Sequence, residues 1–268
     1  MVKVITINIL FELDRWEQRR HLLVSGLAAE RADLIALQEV KLPEDTAVWL
    51  AEQLGMPYLS LVPTQSYDGR SSQYGVAILS RHPFVQQDTL YFQSQGKGKV
   101  AQYVQVEIDN QPLVVCNGHY YWHPGSHPER DKQVKQVLNW LEQFPPEMPI
   151  VAVGDFNGTP DTSAIALMRQ HFTSAYAKYN GSEPSYTCPT PLVKLNWLQS
   201  IRHTLRNLVF NKTLTPWKGT LDYIFVNSNL SVCDCRIILN QPSPYDPYLY
   251  PSDHFGIAAN LQLERPDF

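Results

Sequence analysis

Six short motifs place polar side chains at the point where an apolar, strand-like run enters a loop. In chain order these side chains are Asn8, Glu39, Asn117, His119, Asp155, Asn157, Asp222, Asp253 and His254. Because the ends of strands on a rigid scaffold can converge on one mouth, we expect these residues to surround a single cleft. Each motif occurs by chance on its own, so it is the whole set that indicates a functional site.

The residue types in this set favour a hard cation together with acid–base chemistry. Glu39 and a few other oxygens could hold Mg²⁺, which proteins usually bind through one or two carboxylates while water stays on the metal. The remaining carboxylates, amides and histidines could supply a general base, a phosphate clamp and protonated groups for developing charge. A simpler interpretation exists for single members, since Glu39 alone is equally well explained as a surface charge at a strand end.

Composition sets the broad class of protein. The chain has 268 residues, 44% hydrophobic and 18% charged, which is typical of a globular protein and not of a disordered one. The net charge of −4 argues against bulk electrostatic capture of nucleic acid, although a local basic groove is compatible with it. We find no apolar stretch near the ~20 residues of a membrane span, no signal peptide and no sign of a protein partner. We therefore expect a cytoplasmic protein, with thiols rather than zinc ligands at Cys116, Cys188, Cys233 and Cys235.

Eleven apolar, β-branched runs predict strands, and two packed sheets accommodate so many strands better than one sheet. The runs are Val2–Ile9, Leu34–Val40, Tyr58–Val62, Gly75–Ser80, Thr89–Phe92, Ala101–Ile108, Leu113–Tyr120, Ile150–Phe156, Leu221–Val226, Val232–Leu239 and Phe255–Leu263. Helical patterns lie between them at Arg15–Glu30, from Pro43 to Leu54, at Pro128–Phe144 and at Asp161–His171. Helices placed in this way are expected to cover the outer faces of the two sheets.

Residues 181–219 interrupt this pattern with several prolines and one amphipathic helical segment, Lys194–Phe210. Arg202 and Arg206 flank the apolar face of that segment, one turn apart. One interpretation is a helix packed on the sheets, with arginines whose stems lie along the apolar surface. The other is a lid or interfacial helix that meets a lipid or a phosphate-rich substrate.

Taken in order, the motifs resemble those of the endonuclease/exonuclease/phosphatase family. The matching motifs are Asn8, Gln38-Glu39, Asn117-Gly118-His119, Gly154-Asp155-Phe156-Asn157, Asp222-Tyr223 and Ser252-Asp253-His254, supported by runs at 32–40 and 74–81 and by Arg130 with Gln133. The resemblance extends from Val2 to Leu263. It implies an α+β, DNase I-like fold, which is a four-layer αββα sandwich of two mixed β-sheets flanked by helices. Residues 1–268 would then form a single catalytic domain with an excursion at 181–219.

The resemblance also implies a role for each residue of the set. Glu39 would be the principal Mg²⁺ ligand, with Asn8 and Asp253 close by and Mn²⁺ as a possible substitute. Asp155 would orient and deprotonate the attacking water. The remaining roles are phosphate contacts from Asn117, Asn157 and His119, transition-state stabilisation by His119 and His254, and support of the His254 charge by Asp222.

The activity implied is that of a Mg²⁺-dependent phosphohydrolase that cleaves a phosphate ester by in-line attack of an activated water, as a phosphodiesterase or nuclease does. The runs around Asp222 and His254 are closer to the nocturnin-type deadenylases than to abasic-site endonucleases. A phospholipid or small-molecule phosphatase or phosphodiesterase, sphingomyelinase-like or acting on a nucleotide cofactor, stays open, so the substrate is a nucleic acid, a nucleotide or a phospholipid. A catalytically silent phosphate- or nucleic-acid-binding module is the alternative from another class, although Glu39 and Asp155 are retained.

The resembling motif departs from the family at one position. Gly118 stands where many family members have threonine, and we expect the glycine to loosen the backbone beside His119.

Overall fold

The computed structural model describes residues 1–65, 72–92, 99–189 and 219–264. The strands in these ranges are β1 (Val2–Asn8), β2 (Leu34–Lys41), β3 (Tyr58–Pro63), β4 (Tyr74–Ser80), β5 (Gln86–Tyr91), β6 (Val100–Ile108), β7 (Gln111–His119), β8 (Ile150–Asp155), β9 (Thr173–Ser174), β10 (Asp222–Val226), β11 (Leu230–Ile238) and β12 (Gly256–Leu263). The helices are α1 (Trp16–Glu30), α2 (Thr46–Leu54), α3 (Pro128–Leu141), α4 (Ser163–Met168) and α5 (Ala175–Asn180). None of these helices is both long and apolar enough to cross a membrane.

The strands form two six-stranded mixed sheets, in the orders β11-β12-β1-β2-β4-β3 and β5-β6-β7-β8-β10-β9. Alternating apolar side chains of the two sheets, such as Val4 and Ala36 from one and Val115 and Val153 from the other, share one buried cluster between them. The opposite face of the first sheet packs under α1 and α2, and that of the second sheet under α3 and α4. The predicted αββα sandwich is therefore confirmed.

All the predicted strands are present, with ends that differ by a few residues. The sequence missed β9, which has only two residues, and α5, which has six. Such short elements carry too few residues for a hydrophobic period to be read. Helices α1 to α4 fall inside the predicted segments, and α2 is capped by Gly55, whose φ of 60° suits glycine. The predicted helix Lys194–Phe210 lies outside the described residues.

Strand register brings the polar strand ends together. β1 and β2 are parallel, and their last pair is Asn8 opposite Gln38. β7 and β8 are also parallel, with His119 opposite Asp155, and the antiparallel β10 places Asp222 opposite Asp155. The carboxyl end of β8 is thus flanked on both sides by polar residues of its neighbours.

Gly118 lies in the centre of the second sheet, where close packing holds it. It does not loosen the backbone beside His119, as we had expected it to. It pairs with Ala101 of β6 and with Gly154 of β8. A Cβ at Gly118 would lie 2.7 Å from the Tyr120 ring, and a Cβ at Gly154 would lie 2.0 Å from the Gly118 carbonyl oxygen. The glycine is explained by close packing of strands and an aromatic ring, and a larger residue there would require the ring to move.

Candidate active site

Asp155 lies at the centre of a cleft formed by ends of strands from both sheets. Its Oδ2 atom accepts a hydrogen bond from Asn8 Nδ2 at 3.0 Å, which joins β8 to β1 of the other sheet. The same oxygen lies 3.6 Å from His119 Nε2 and 4.0 Å from His254 Nε2. Residues separated by most of the chain therefore converge on one carboxylate oxygen.

The other Asp155 oxygen, Oδ1, accepts the backbone N–H of Asn157 at 2.9 Å. Asn157 has a left-handed backbone, with φ 50°, and its amide donates to Tyr120 O at 3.2 Å. The fully buried Arg130 donates to the carbonyl oxygens of Asn157 and Tyr121. These hydrogen bonds from Arg130 hold the turn in place. The sequence analysis singled out Arg130 without giving it a role, and this contact supplies one.

Burial controls the charge of Asp155. Desolvation raises the pKa of Asp155 above that of an ordinary aspartate, and the nearby Asp222 charge adds to the rise. The positive charge of His254, the Asn8 hydrogen bond and the Lys99 charge act in the opposite direction. A carboxylate whose pKa is raised in this way is a better proton acceptor than a solvated one.

His254 is held in its charged form by a second carboxylate. Its Nδ1 atom lies 2.8 Å from Asp222 Oδ2. Burial opposes the charged imidazole, but the charges of Asp222 and Asp155 and the bond to Asp222 outweigh it, so the pKa of His254 is well above its usual value. Asp222 is itself oriented by Thr187, whose hydroxyl donates to Oδ2 at 2.5 Å.

Glu39 projects from a β-bulge. The β2–β4 register shifts between Gln38 and Val40, so Glu39 lies opposite no partner residue, and its φ is 58°. Bulges and left-handed non-glycine residues are strained, and they are found where a side chain is aimed at a site. The Phe11 backbone N–H donates to Glu39 Oε2 at 3.2 Å.

The surroundings of Glu39 suit a divalent cation. Desolvation and then the charge of Asp253 raise the pKa of Glu39, while Lys99, His254 and the bond to Asn8 lower it. Two acidic side chains and the Asn8 amide oxygen are the hard oxygen donors that Mg²⁺ and Mn²⁺ prefer. A cation bound among them would offset the mutual repulsion of Glu39 and Asp253, so these residues fit the metal.

A second group of possible ligands consists of Asp155, Asp222 and His254, whose donor atoms lie within 4.8 Å of one another. Hydrogen bonds already occupy one of these donor atoms. Asp222 Oδ2 already accepts from His254 Nδ1 and from the Thr187 hydroxyl, and a cation on that oxygen would break both bonds.

His119 differs from the charged residue that was expected. Its Nε2 lies 2.7 Å from Lys99 Nζ and 3.8 Å from Glu39 Oε1. Desolvation, the charge of Lys99 and the charge of His254 keep the pKa of His119 well below its usual value. The imidazole is therefore neutral, and its Nε2 accepts a hydrogen bond from the Lys99 ammonium.

Asn117 is placed differently from the expected phosphate contact. Its Nδ2 atom donates to Leu37 O and Ala77 O, both at 3.0 Å, and its Oδ1 accepts from Gln38 Nε2 at 2.7 Å. The side chain is completely buried between the sheets. Both amide protons are used there, so Asn117 ties β7 to β2 and β4 instead of reaching the cleft.

The sequence analysis missed Lys99 and Thr187. Lys99 follows a Gly-Lys-Gly run that reads as an exposed loop, yet it is only 5% exposed. Thr187 is separated from Asp222 by 35 residues, and a lone threonine gives no signal. The one available clue for Lys99 was a charged residue immediately before an apolar strand.

Two β-sheets packed under helices, with buried carboxylates and histidines at the strand ends, define a DNase I-like protein with a hydrolase-type site. The family profile of the endonuclease/exonuclease/phosphatase family matches residues 5–254. The chain therefore belongs to the endonuclease/exonuclease/phosphatase family.

Individual relatives are distant. Mouse 2',5'-phosphodiesterase 12 is 23% identical over 293 residues, which cover 92% of this chain and 46% of that protein. The structure of D. rerio TDP2 complexed with single strand DNA product is 20% identical, with a TM-score of 0.75, and covers 97% of this chain and 98% of that chain. The human Nocturnin catalytic domain with bound sulfate anion is 23% identical, with a TM-score of 0.73 and coverages of 98% and 93%. The structural likenesses establish the fold alone, and this chain spans about half the length of several curated relatives.

Proposed function

We propose that this protein is a Mg²⁺-dependent phosphodiesterase that attacks the phosphorus of a nucleic acid or nucleotide with an activated water. Hydrolysis of phosphate esters is the chemistry named by its family. The observation that carries the proposal is the position of Asp155 Oδ2, which lies within 4.0 Å of both His119 Nε2 and His254 Nε2 and accepts the Asn8 amide. A water bonded to this oxygen would have its proton acceptor in place.

Asp155 acts as the general base. Asn8 Nδ2 and the Asn157 backbone N–H hold its two oxygens, so the carboxylate cannot rotate away from the cleft. Its raised pKa makes it a stronger base than an exposed aspartate, which favours removal of a proton from the attacking water. General catalysis of this kind contributes on the order of a hundredfold to ten-thousandfold.

His254 supplies positive charge on the same side of the phosphate. Nδ1 is bonded to Asp222, and Nε2 lies 4.0 Å from Asp155 Oδ2, so the Nε2 proton would be donated to a phosphate oxygen bound beside Asp155. Charge that grows on that oxygen in the transition state strengthens the bond, which is the requirement for catalysis. Asp222 is a positioning residue, since it acts through the imidazole.

Glu39, Asp253 and the Asn8 amide oxygen would hold the Mg²⁺ ion. The ion would neutralise charge on the phosphate and on the leaving oxygen. Mn²⁺ is expected to substitute because it accepts the same oxygen donors, whereas Ca²⁺ prefers more ligands and a looser geometry.

An aromatic loop next to the site favours a nucleotide over a phospholipid. We define it as Tyr121, Trp122, His123 and His127, which lie between the end of β7 at His119 and the start of α3. Tyr121 and His127 rings lie 4.5 Å apart between centroids, and Trp122 is 50% exposed. Unpaired bases stack on such rings, with each stack contributing about 1–3 kcal/mol.

The aromatic loop is also held in place by α3. Arg130 donates to the carbonyl oxygens of Tyr121, His123 and Gly125, and Gln133 accepts the Tyr121 N–H at 2.8 Å. A surface that is already ordered loses little entropy when it binds a ligand. The names of the relatives, a 2',5'-phosphodiesterase and a protein bound to single strand DNA, point to the same substrate class.

The test is a substrate panel with purified protein in Mg²⁺. It contains single-stranded DNA and RNA, short oligonucleotides with 2',5' linkages, sphingomyelin, inositol phosphates and bis-p-nitrophenyl phosphate. We expect hydrolysis of a nucleotide substrate that Asp155→Asn reduces about a hundredfold or more. Equal turnover by the variant would remove Asp155 from the mechanism, and sphingomyelin as the best substrate would overturn the substrate class.

A further inference from the structure

Lys99 is a buried cation that the catalytic scheme above does not use. It lies directly before β6, whose first residue, Val100, pairs with His119 in the register of the second sheet. This pairing sets Lys99 beside the end of β7, and its Nζ atom lies 2.7 Å from His119 Nε2. The side chain is 5% exposed, so the ammonium is held inside the cleft and not in bulk solvent.

A buried ammonium is costly unless nearby negative charges and hydrogen bonds compensate it. The Lys99 charge reaches the carboxylates of the site, because it lowers the pKa of both Glu39 and Asp155. It also lies over the Tyr74 ring, with Nζ 5.7 Å from the ring centroid. Lys99 is therefore directed at the centre of the cleft by an imidazole on one side and an aromatic face on another.

An alkyl amine is a far stronger base than an imidazole, so Lys99 is the protonated member of this bonded pair. An ammonium has three protons and no acceptor, so His119 Nε2 must accept, and the imidazole proton resides on Nδ1. His119 cannot then offer a proton from Nε2 to a substrate. The positive charge on this side of Asp155 belongs to the lysine.

We propose that the Lys99 ammonium is a catalytic residue that donates a hydrogen bond to a non-bridging oxygen of the substrate phosphate, on the His119 side of Asp155. The inference rests on the proposed function and deepens it. His254 and Lys99 would then carry positive charge on two sides of Asp155, the carboxylate that activates the water. Lysine binds phosphate as a compact point charge, and an ammonium has three protons, so it can contact the imidazole and a phosphate oxygen together.

The experiment measures two properties of Lys99→Met, Lys99→Gln and Lys99→Arg: affinity for inorganic phosphate and steady-state kinetics on bis-p-nitrophenyl phosphate. Phosphate binding is followed by isothermal titration calorimetry in Mg²⁺, which needs no turnover. Lys135→Met is the matched control, since it removes the same charge from an exposed position of α3. Circular dichroism and melting curves of all variants identify any that fail to fold, and Lys99→Gln keeps a polar end if Lys99→Met does not fold.

We expect Lys99→Met and Lys99→Gln to bind phosphate at least tenfold more weakly and to lose about a hundredfold in kcat, the scale of one lost transition-state donor. Lys99→Arg should recover part of both, and Lys135→Met should match the wild type. Wild-type phosphate affinity and kcat in a folded Lys99→Gln would overturn the inference while the proposed function stands. If the wild type hydrolyses nothing in the panel while Lys99→Gln binds phosphate more weakly, the proposed function is overturned and the contact of Lys99 with phosphate is supported.

Discussion

Thr187 is the residue whose replacement tests the His254–Asp222 arrangement most directly. Its hydroxyl donates to Asp222 Oδ2 at 2.5 Å and accepts the backbone N–H groups of Leu221 at 3.0 Å and Asp222 at 3.1 Å. Thr187→Val keeps the shape of the side chain and removes all three bonds. Thr187→Ser keeps the hydroxyl and removes only a methyl group, so it is the matched control.

The structure sets the size of the expected effect. A hydrogen bond to a carboxylate is worth about 1.5–3 kcal/mol, and each buried N–H left without an acceptor costs about 1–3 kcal/mol. Because the three bonds share one hydroxyl they do not add fully, and we expect Thr187→Val to lower the free energy of unfolding by about 3 kcal/mol or more. For a domain of this size that corresponds to a fall in Tm of roughly 6–12 °C. Thr187→Ser should cost about 1 kcal/mol, the contribution of one buried methyl group.

Turnover should fall together with stability, because Asp222 loses the donor that fixes the oxygen bonded to His254. We expect Thr187→Val to reduce kcat by about tenfold, with KM nearly unchanged, since the imidazolium acts mainly in the transition state. Denaturant unfolding, melting curves and kinetics at a temperature where both variants are folded make the comparison. If Thr187→Val is as stable and as active as Thr187→Ser, the hydroxyl does not position Asp222 and the reasoning is wrong.

Three further outcomes are expected. His254→Ala should lower kcat by about a hundredfold or more while the circular dichroism spectrum is retained, because the side chain lines a cleft; an unchanged kcat would exclude it from the mechanism. Activity should disappear in excess EDTA and return with Mg²⁺ or Mn²⁺, and Glu39→Gln should require more Mg²⁺ for half-maximal rate; full activity in EDTA would refute the metal assignment. Trp122→Ala should raise KM for single-stranded oligonucleotides by about fivefold to a hundredfold, the range of one lost stacking contact, with little change for bis-p-nitrophenyl phosphate; an equal effect on both would show that Trp122 does not bind a base.

Sequence alone predicted those site residues whose position depends on a single strand. Strands such as Leu34–Lys41 are marked by β-branched runs, and the polar residue at each end is marked by the change to a loop. It was insufficient where a position depends on a partner strand. The bulge at Glu39 exists only in the register of β2 against β4, and no local pattern in the sequence predicts it.

Side-chain direction was the second property that residue type could not predict. Asn117 and Asn157 are both asparagines at strand ends, yet the Asn117 amide is used entirely between the sheets. Asn117 is in β7 and lies two residues before its end, so it lies below the cleft, whereas Asn157 follows the end of β8. A difference of four residues relative to the strand end decided between a structural bond and a place in the site.

The charges of the site give an independent reason to expect a divalent cation. At the strand ends that form the cleft, Glu39, Asp155, Asp222 and Asp253 contribute four acidic groups, and Lys99 and the charged His254 contribute two positive ones. Arg130 is left out of this count because the carboxylate of Asp131 acts on it more strongly than Asp155 does and offsets its charge. Two negative charges remain when every acid is ionised, and burial makes such an excess costly, which is why the pKa values of Glu39 and Asp155 are raised. One Mg²⁺ would balance the excess and leave the net charge of the cleft close to neutral, so that a phosphate anion could enter without repulsion. A Glu39→Gln, Asp253→Asn double variant should therefore bind inorganic phosphate without Mg²⁺ better than the wild type does, and calorimetry that found weaker binding would show that repulsion by these carboxylates does not limit anion entry.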